Sequence, residues 1–255
     1  MVQLSVLIPA RDAGDEVARQ LPEVIRAAAA LAETFEVIGI DDGGRFESIQ
    51  LWRRLLTEYP QLRVLRLEER QGLSAALAAG ISAARGQIIV AMEPGPRYLP
   101  EQIQWLTERL ARADLVHGRR RRSRPIKFLQ AFVLWPRRLL FGVEVRDPTC
   151  LFWAARREAL VGLDLGRGMH RFIGALMAVK GYRVCEITVD HRPARRPRGH
   201  FSWPSLINLL VVWYLRKIVQ HPTYDELARF ESRIDGRQLR VDPARKPGTR
   251  VMHQA

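Results

Sequence analysis

The chain is poor in cysteine, has no long apolar run, and has too few acids for its bases. Two cysteines, Cys150 and Cys185, in 255 residues exclude a disulfide-framed secreted domain and point to a reducing compartment. No run of about 18 apolar residues occurs, so no simple spanning helix is expected. The opening MVQLSVLIPA is apolar but short and has no basic leader, so it reads as a strand rather than a signal peptide. There is no internal repeat, and compositional bias is confined to residues 27–30 (alanine) and 119–122 (arginine). Against 41 Lys and Arg there are only 27 Asp and Glu, a net charge of +14. Such a surplus calls for an anionic partner: nucleic acid, an anionic membrane surface or a phosphorylated ligand. A merely solvated basic surface is the plainer alternative. The apolar content of 47% is ample for a packed core, and the length suits one large domain or a domain with an appendage.

Hydrophobic spacing predicts strands at residues 4–9, 35–40, 62–67, 87–92, 114–117 and 182–189. It predicts helices at 15–31, 46–57, 72–84, 100–112 and 169–180. Val17, Leu21, Val24, Ile25 and Ala28 fall on one face of the first helix. Arg85-Gly86 reads as a glycine C-cap on the Ala-rich helix, and Pro100 as a first-turn proline. Strands alternating with helices indicate βαβ units, hence an α/β fold with a mostly parallel, Rossmann-like sheet covered on both faces. The runs at 35–40 and 87–92 are almost wholly apolar, as central strands are. After residue 118 the pattern changes. Residues 127–141, interrupted by Pro136, and 203–219 combine Trp and Phe with Arg and Lys. They read as amphipathic helices lying in a membrane interface, with core packing as the alternative. Their aromatics do not alternate with basic residues along strands, which argues against nucleic-acid binding. Beyond residue 221 the chain is polar, with one short helix at 224–232 and no order expected in the last dozen residues. The expected units are therefore 1–202, 203–220 and 221–255.

Four predicted strands end in chemistry-bearing residues: Pro9-Ala10-Arg11-Asp12, Asp41-Asp42-Gly43, Arg70-Gln71-Gly72 and Glu93-Pro94-Gly95. In a parallel sheet these ends share one edge, where ligands of open α/β folds bind. Carboxylates there suit ribose hydroxyls, base edges or a divalent metal, and glycine lets backbone amides approach a phosphate. One such end is ordinary turn chemistry; four in register predict a nucleotide pocket.

The segments LSVLIPARD, EVIGIDDGG, RQGLSAALAAGISAARGQIIVAMEP, LPEQI, HGRR, VRDPTCLFWAARREAL and GYRVCEITVDHRPARR run in order through residues 3–203. Together they resemble family 2 glycosyltransferases of the GT-A fold, and most of all the polyprenyl-phosphate sugar transferases such as dolichol-phosphate mannose synthase. The resemblance implies transfer of a sugar from a UDP- or GDP-linked donor to a polyprenyl phosphate, at the cytoplasmic face of a membrane. It implies that Pro9, Arg11, Asp12, Asp41, Asp42 and Gly72 hold the nucleotide. Arg119 or Arg120 would face the phosphates, residues 147–152 would shape the acceptor side, and Arg195, Arg198 and His200 would grip the acceptor phosphate. Glu93, Arg120 and Asp147 are the implied catalytic set. A membrane-anchoring subunit or a homo-oligomer is a further implied partner.

The chain departs from the family at several of these points. Where the family has Asp-X-Asp, this sequence has Glu93-Pro94-Gly95, leaving Glu93 as a weak ligand for Mg²⁺ or Mn²⁺. Arg97, Arg119 and Arg120 are alternative countercharges for a diphosphate. The usual Ser-Gly-Phe-Arg is Cys150-Leu151-Phe152-Trp153, the usual Ser-Lys is Gly199-His200, and the usual Asp-Gly-Ser is Asp42-Gly43-Gly44. A transferase is expected on this evidence, with a pseudoenzyme that binds nucleotide, lipid or a partner as the alternative.

Overall fold

All seven residues of the first strand, β1 (Leu4–Ala10), are buried. A strand achieves that only when helices cover both faces of its sheet. The computed structural model describes residues 2–10, 12, 14–95, 97–121, 147, 150–163, 165–166, 168–191 and, for the backbone, 249–252. The further strands are β2 (Phe35–Asp42), β3 (Leu62–Leu67), β4 (Ile88–Met92), β5 (Leu115–Arg120), β6 (Phe152–Arg156), β7 (Val184–Val189) and β8 (Thr249–Met252). They form one sheet in the order β7-β5-β6-β4-β1-β2-β3-β8. Six strands point the same way, while β6 and β8 run against them.

Period-two alternation sends Leu4, Val6 and Ile8 to one face and Leu7 to the other. The first face packs on α1 (Asp15–Ala29), α2 (Phe46–Glu58) and α4 (Ile103–Arg109). The second packs on α3 (Leu73–Ala83), α5 (Arg157–Leu160) and α6 (Ile173–Val179). In α1 the predicted stripe holds: Val17, Leu21, Val24 and Ala28 are buried and Ile25 is partly so. Burying each such Val or Leu contributes roughly 1.5–3 kcal/mol. One buried residue of α1 is polar, Gln20, and its Oε1 accepts from the Gly95 amide in the loop after β4.

The mostly parallel sheet is as expected, but five details differ. β6, unassigned by spacing, runs antiparallel between β4 and β5, pairing Met92 with Phe152 and His117 with Trp153. A short fully buried run carries no periodicity that reveals its direction. β5 extends to Arg120, because β7 supplies backbone partners as far as Val189. The helices predicted at 100–112 and 169–180 each open as a 3₁₀ turn, Pro100–Gln102 and Met169–Phe172, and end at Arg109 and Val179. Gly86 is not a left-handed C-cap: α3 is followed by Ala84 in extended conformation. Glycine is required there because a β-carbon would come within 2.5 Å of the Ser5 amide nitrogen. Lastly, residues 249–252 form β8 against β3, with Val64 opposite Met252, where no order was expected. Strand pairing uses backbone groups, which a polar tail also has, and β3 would otherwise be an open edge.

Residues 127–141, 203–219 and 224–232 lie outside the described residues, as do Arg11, Arg195, Arg198 and His200. Among the described residues no helix is long and apolar enough to cross a membrane.

Candidate active site

The carboxyl ends of β4, β1, β2 and β3 are neighbours in the sheet, so the four ends singled out in the sequence do converge. At the end of β1, Pro9 pairs in register with Ile40, and Asp12 lies exposed with a positive φ of 51°. Its Oδ1 accepts from the Arg45 amide at 3.2 Å. At the end of β2 the two acids have different surroundings. Asp41 is fully buried. Its Oδ1 accepts from Ser48 Oγ at 3.1 Å, while Oδ2 has no hydrogen bond and lies 3.8 Å from Arg66 Nε. Burial holds its carboxyl above the usual range, with Ser48 and Arg66 opposing the rise and Asp12 adding to it. Asp42 accepts from the Gln71 amide at 2.7 Å and from the Gly72 amide at 2.9 Å. It thereby ties the end of β2 to Gly72, the residue that opens α3. Asp41 thus lies beneath the surface, whereas Asp12, Asp42 and Gly72 form the edge.

One contact at this edge has no counterpart in the sequence analysis. Ser74, in the first turn of α3, accepts from the His170 amide at 3.3 Å and lies 2.8 Å from His170 Nδ1. The two residues are 96 positions apart, and no local spacing could have paired them. Burial, with Arg171 nearby, pushes the His170 pKa down to about 4. The folded ring therefore binds its proton less tightly than the unfolded ring. This part of the stability is full above about pH 6.5 and is lost as pH falls towards 4. We expect it to amount to on the order of 3 kcal/mol across that window. His170→Gln should flatten this part of the pH dependence of stability, measured by urea unfolding at several pH values.

Beyond β4 the loop is pinned at three points. The Glu93 amide donates to Leu151 O at 3.1 Å, and the Gly95 amide to Gln20 Oε1 at 2.9 Å. Tyr98 then forms an antiparallel bridge with His191 just past β7. Both carboxylate oxygens of Glu93 accept from one nitrogen, Arg97 Nη1, at 3.1 Å. About a third of the Glu93 side chain is exposed (35%), and ion pairs at this exposure contribute only about 0.2–1 kcal/mol. The carboxylate expected to hold a metal therefore already carries a cation. It is also a single carboxylate: among the described residues no group of three or more His, Cys, Asp or Glu is arranged to hold a metal ion. The residues present do not fit the two-acid metal site of the family motif.

The arginines that end β5 are charge-balanced. Arg120 binds Asp147 through Nε and Nη2, both at 2.6 Å, in a fork that is 18% exposed on the arginine side and 5% on the aspartate side. This pairing holds the guanidinium firmly charged. Arg119 lies 3.9 Å from Glu186 and donates to Thr188 Oγ1, and Arg121 lies 3.2 Å from Asp190. Glu186 accepts from the Asp147 amide at 2.9 Å, and Asp190 accepts from Gln102 Nε2 at 3.0 Å. Glu186 and Asp190 are functional-edge acids that the sequence analysis did not single out. Tyr98 and Cys150 lie in the same cluster, with the thiol 3.4 Å from the phenol oxygen. Burial pushes the Cys150 thiol up to about 12 and the Tyr98 hydroxyl higher than its ordinary value. Both stay protonated at neutral pH, so neither is a nucleophile. His117, wholly buried, is held neutral by the same cause.

The structure therefore brings Asp12, Asp42, Gly72, Ser74 and His170 to one part of the edge. It gathers Glu93, Arg97, Tyr98, Arg120 and Asp147 around the loop after β4.

Comparison with known proteins gives the same outline. A 4-deoxy-4-formamido-L-arabinose transferase acting on undecaprenyl phosphate, from Pseudomonas paraeruginosa, is 30% identical over 203 residues, covering 74% of this chain and 59% of the relative. Dodecaprenyl-phosphate galacturonate synthase from Rhizobium johnstonii is 29% identical over 234 residues, covering 87% of this chain and 69% of the relative. The chain thus spans about three fifths of the undecaprenyl-phosphate relatives. Among solved structures, glucosyl-3-phosphoglycerate synthase from Mycobacterium tuberculosis with UDP matches at TM-score 0.59 and 22% identity, covering 88% of this chain and 82% of that one. A mannosyltransferase from Pyrobaculum calidifontis, solved with GDP-mannose and Mn²⁺, matches at TM-score 0.57 and 20% identity, covering 85% and 64%. These likenesses show that the fold is GT-A. The family model for glycosyl transferase family 2 matches residues 5–160. Since that match takes in more than half of its length, the chain belongs to glycosyl transferase family 2.

Proposed function

We propose that the protein transfers a glycosyl group from a nucleoside-diphosphate sugar to a polyprenyl phosphate. One observation carries this reading: Asp12, Asp42 and the Gly72 opening of α3 share one sheet edge with the loop that holds Glu93 and Arg97. Hydroxyl- and amide-bearing parts of a nucleoside meet carboxylates there, and a diphosphate meets a helix start and a guanidinium. The relatives' activities on undecaprenyl and dodecaprenyl phosphate supply the acceptor class.

In this reaction an oxygen of the acceptor phosphate attacks the anomeric carbon of the sugar. A new carbon–oxygen bond forms, and the bond from that carbon to the diphosphate oxygen breaks. The electron pair leaves with the nucleoside diphosphate. The acceptor oxygen is already anionic at neutral pH, so no side chain has to remove a proton. This is consistent with a cluster whose Tyr98, Cys150 and His117 are all held protonated or neutral by burial. The protein's share is alignment and stabilisation of the departing charge. The Arg120–Asp147 fork, held by two 2.6 Å hydrogen bonds, braces the side of the site beside the loop after β4. The relatives contain Mn²⁺ in some solved structures. Here the donor set at the corresponding loop does not match such an ion, and no step is assigned to one.

The reading includes a peripheral position at the cytoplasmic face of a membrane. There, residues 127–141 and 203–219 meet anionic headgroups, and Arg195, Arg198 and His200 meet the acceptor phosphate. The test is transfer of labelled sugar from a panel of UDP- and GDP-sugars to undecaprenyl phosphate in anionic vesicles. Label in the lipid fraction is the expected result. Nucleotide binding without label in any lipid would contradict transfer and favour an accessory module of the same fold.

A further inference from the structure

We propose that Arg97 takes the place of a metal ion in this enzyme, so that the donor diphosphate is bound and released as a leaving group without a divalent cation. The inference rests on the donor reading above. Its starting point is the Glu93–Arg97 pair. Glu93 occupies the first position of the family's two-acid motif, and both of its oxygens are engaged by the guanidinium four residues on. Arg97 spends one nitrogen, Nη1, on this contact. Among the described residues, no hydrogen bond is made by its Nη2 or Nε. The guanidinium therefore keeps a second N–H edge, of the geometry that binds phosphate oxygens in pairs.

The second motif position is not simply missing its acid. Gly95 has φ +106°, outside the range a side-chain-bearing residue adopts readily. Its amide is fixed by Gln20, whose own Nε2 lies 3.8 Å from Met92 Sδ. A β-carbon at this position would come 2.9 Å from the Glu16 carboxylate oxygen. An aspartate here would be strained and would crowd its carboxylate against another. The backbone is thus set for glycine, and the loop brings a cation where the motif would place a second anion. The neighbouring arginines do not offer the same service: Arg119, Arg120 and Arg121 each face a carboxylate, Glu186, Asp147 and Asp190 respectively. Glu93 then positions Arg97 rather than binding metal. Its partly exposed pairing is weak enough for the guanidinium to share itself with an incoming diphosphate.

The experiment is calorimetric titration of UDP and GDP into the full chain, in EDTA and again in Mn²⁺, for the parent, Arg97→Ala, Arg97→Lys and Glu93→Gln. The parent should bind its nucleotide with affinity equal within about twofold in the two buffers. Arg97→Ala should lose roughly tenfold to a hundredfold in EDTA, as expected for a charge-assisted contact. Arg97→Lys should fall between them, because it keeps the charge but not the fork. Glu93→Gln should bind equally in EDTA and in Mn²⁺, since it alters only the positioning of Arg97, whereas the loss of a metal ligand would weaken binding in Mn²⁺ alone. Tightening of the parent by tenfold or more in Mn²⁺ would overturn the inference while leaving the donor site in place. So would an Arg97→Ala variant that binds like the parent in EDTA. Binding of neither nucleotide in either buffer would remove the donor site and the inference together.

Discussion

Replacing Asp42 by alanine should remove nucleotide binding and lower the stability of the fold by about 2–4 kcal/mol. The second effect follows from what Asp42 does before any ligand arrives. Its carboxylate accepts the amides of Gln71 and Gly72, and it is itself buried to 6% exposure. Without it two backbone donors at the start of α3 lose a charged partner, and the turn that presents Gly72 loosens. Asp42→Asn separates the two effects. The amide oxygen can still accept from Gln71, so stability should fall less, but the negative charge at the proposed donor site is gone. Urea unfolding and nucleotide titration of both variants check this. Nucleotide affinity in Asp42→Ala equal to that of the parent would show that the end of β2 is not part of the donor site.

The second large effect is at Arg120 and Asp147. Arg120→Ala should cost about 3–5 kcal/mol, because it takes the charged partner from a nearly buried carboxylate and leaves the Arg120 backbone amide as a weaker donor to it. Asp147→Ala should also be strongly destabilising, since it leaves a guanidinium that is only 18% exposed. The double variant should lose less than the sum by about 1–3 kcal/mol, the coupling expected of residues in direct contact. The double-mutant cycle, measured by urea unfolding, reports this directly. Additive losses would mean that the fork contributes nothing as a pair. Transfer activity should fall in all three variants, as the wall beside the loop after β4 is displaced.

These two sites show what the sequence makes legible and what it does not. Asp41, Asp42, Gly72 and Glu93 are readable because strand period and strand ends are local: once β1 to β4 are placed, their carboxyl ends must share an edge. The different fates of Asp41 and Asp42 are not readable. One is buried under Ser48 and Arg66, the other bonds across to Gly72, and both contacts depend on the twist and packing of the assembled sheet. The partners of the arginine run are hidden for a related reason. Arg119 and Glu186 are brought together by the parallel pairing of β5 with β7, which sets His117 opposite Glu186. That pairing in turn depends on β6 lying antiparallel beside β5, a direction that no periodicity encodes. Gln20 looks like a polar interruption of a helix stripe until the Gly95 amide is seen to need an acceptor. The Arg97 contact was closer to hand. A carboxylate and a guanidinium four residues apart can meet even in a loop, and the sequence had already offered Arg97 as a countercharge.

The measurement that bears most directly on the account is transfer itself, with the parent and Asp42→Asn assayed side by side. Each is incubated with labelled UDP- and GDP-sugars and undecaprenyl phosphate in anionic vesicles, and the lipid fraction is analysed. The account predicts label in lipid for the parent with at least one donor, and none for Asp42→Asn. Label that is equal in the two proteins, or absent from the parent with every donor, would contradict it.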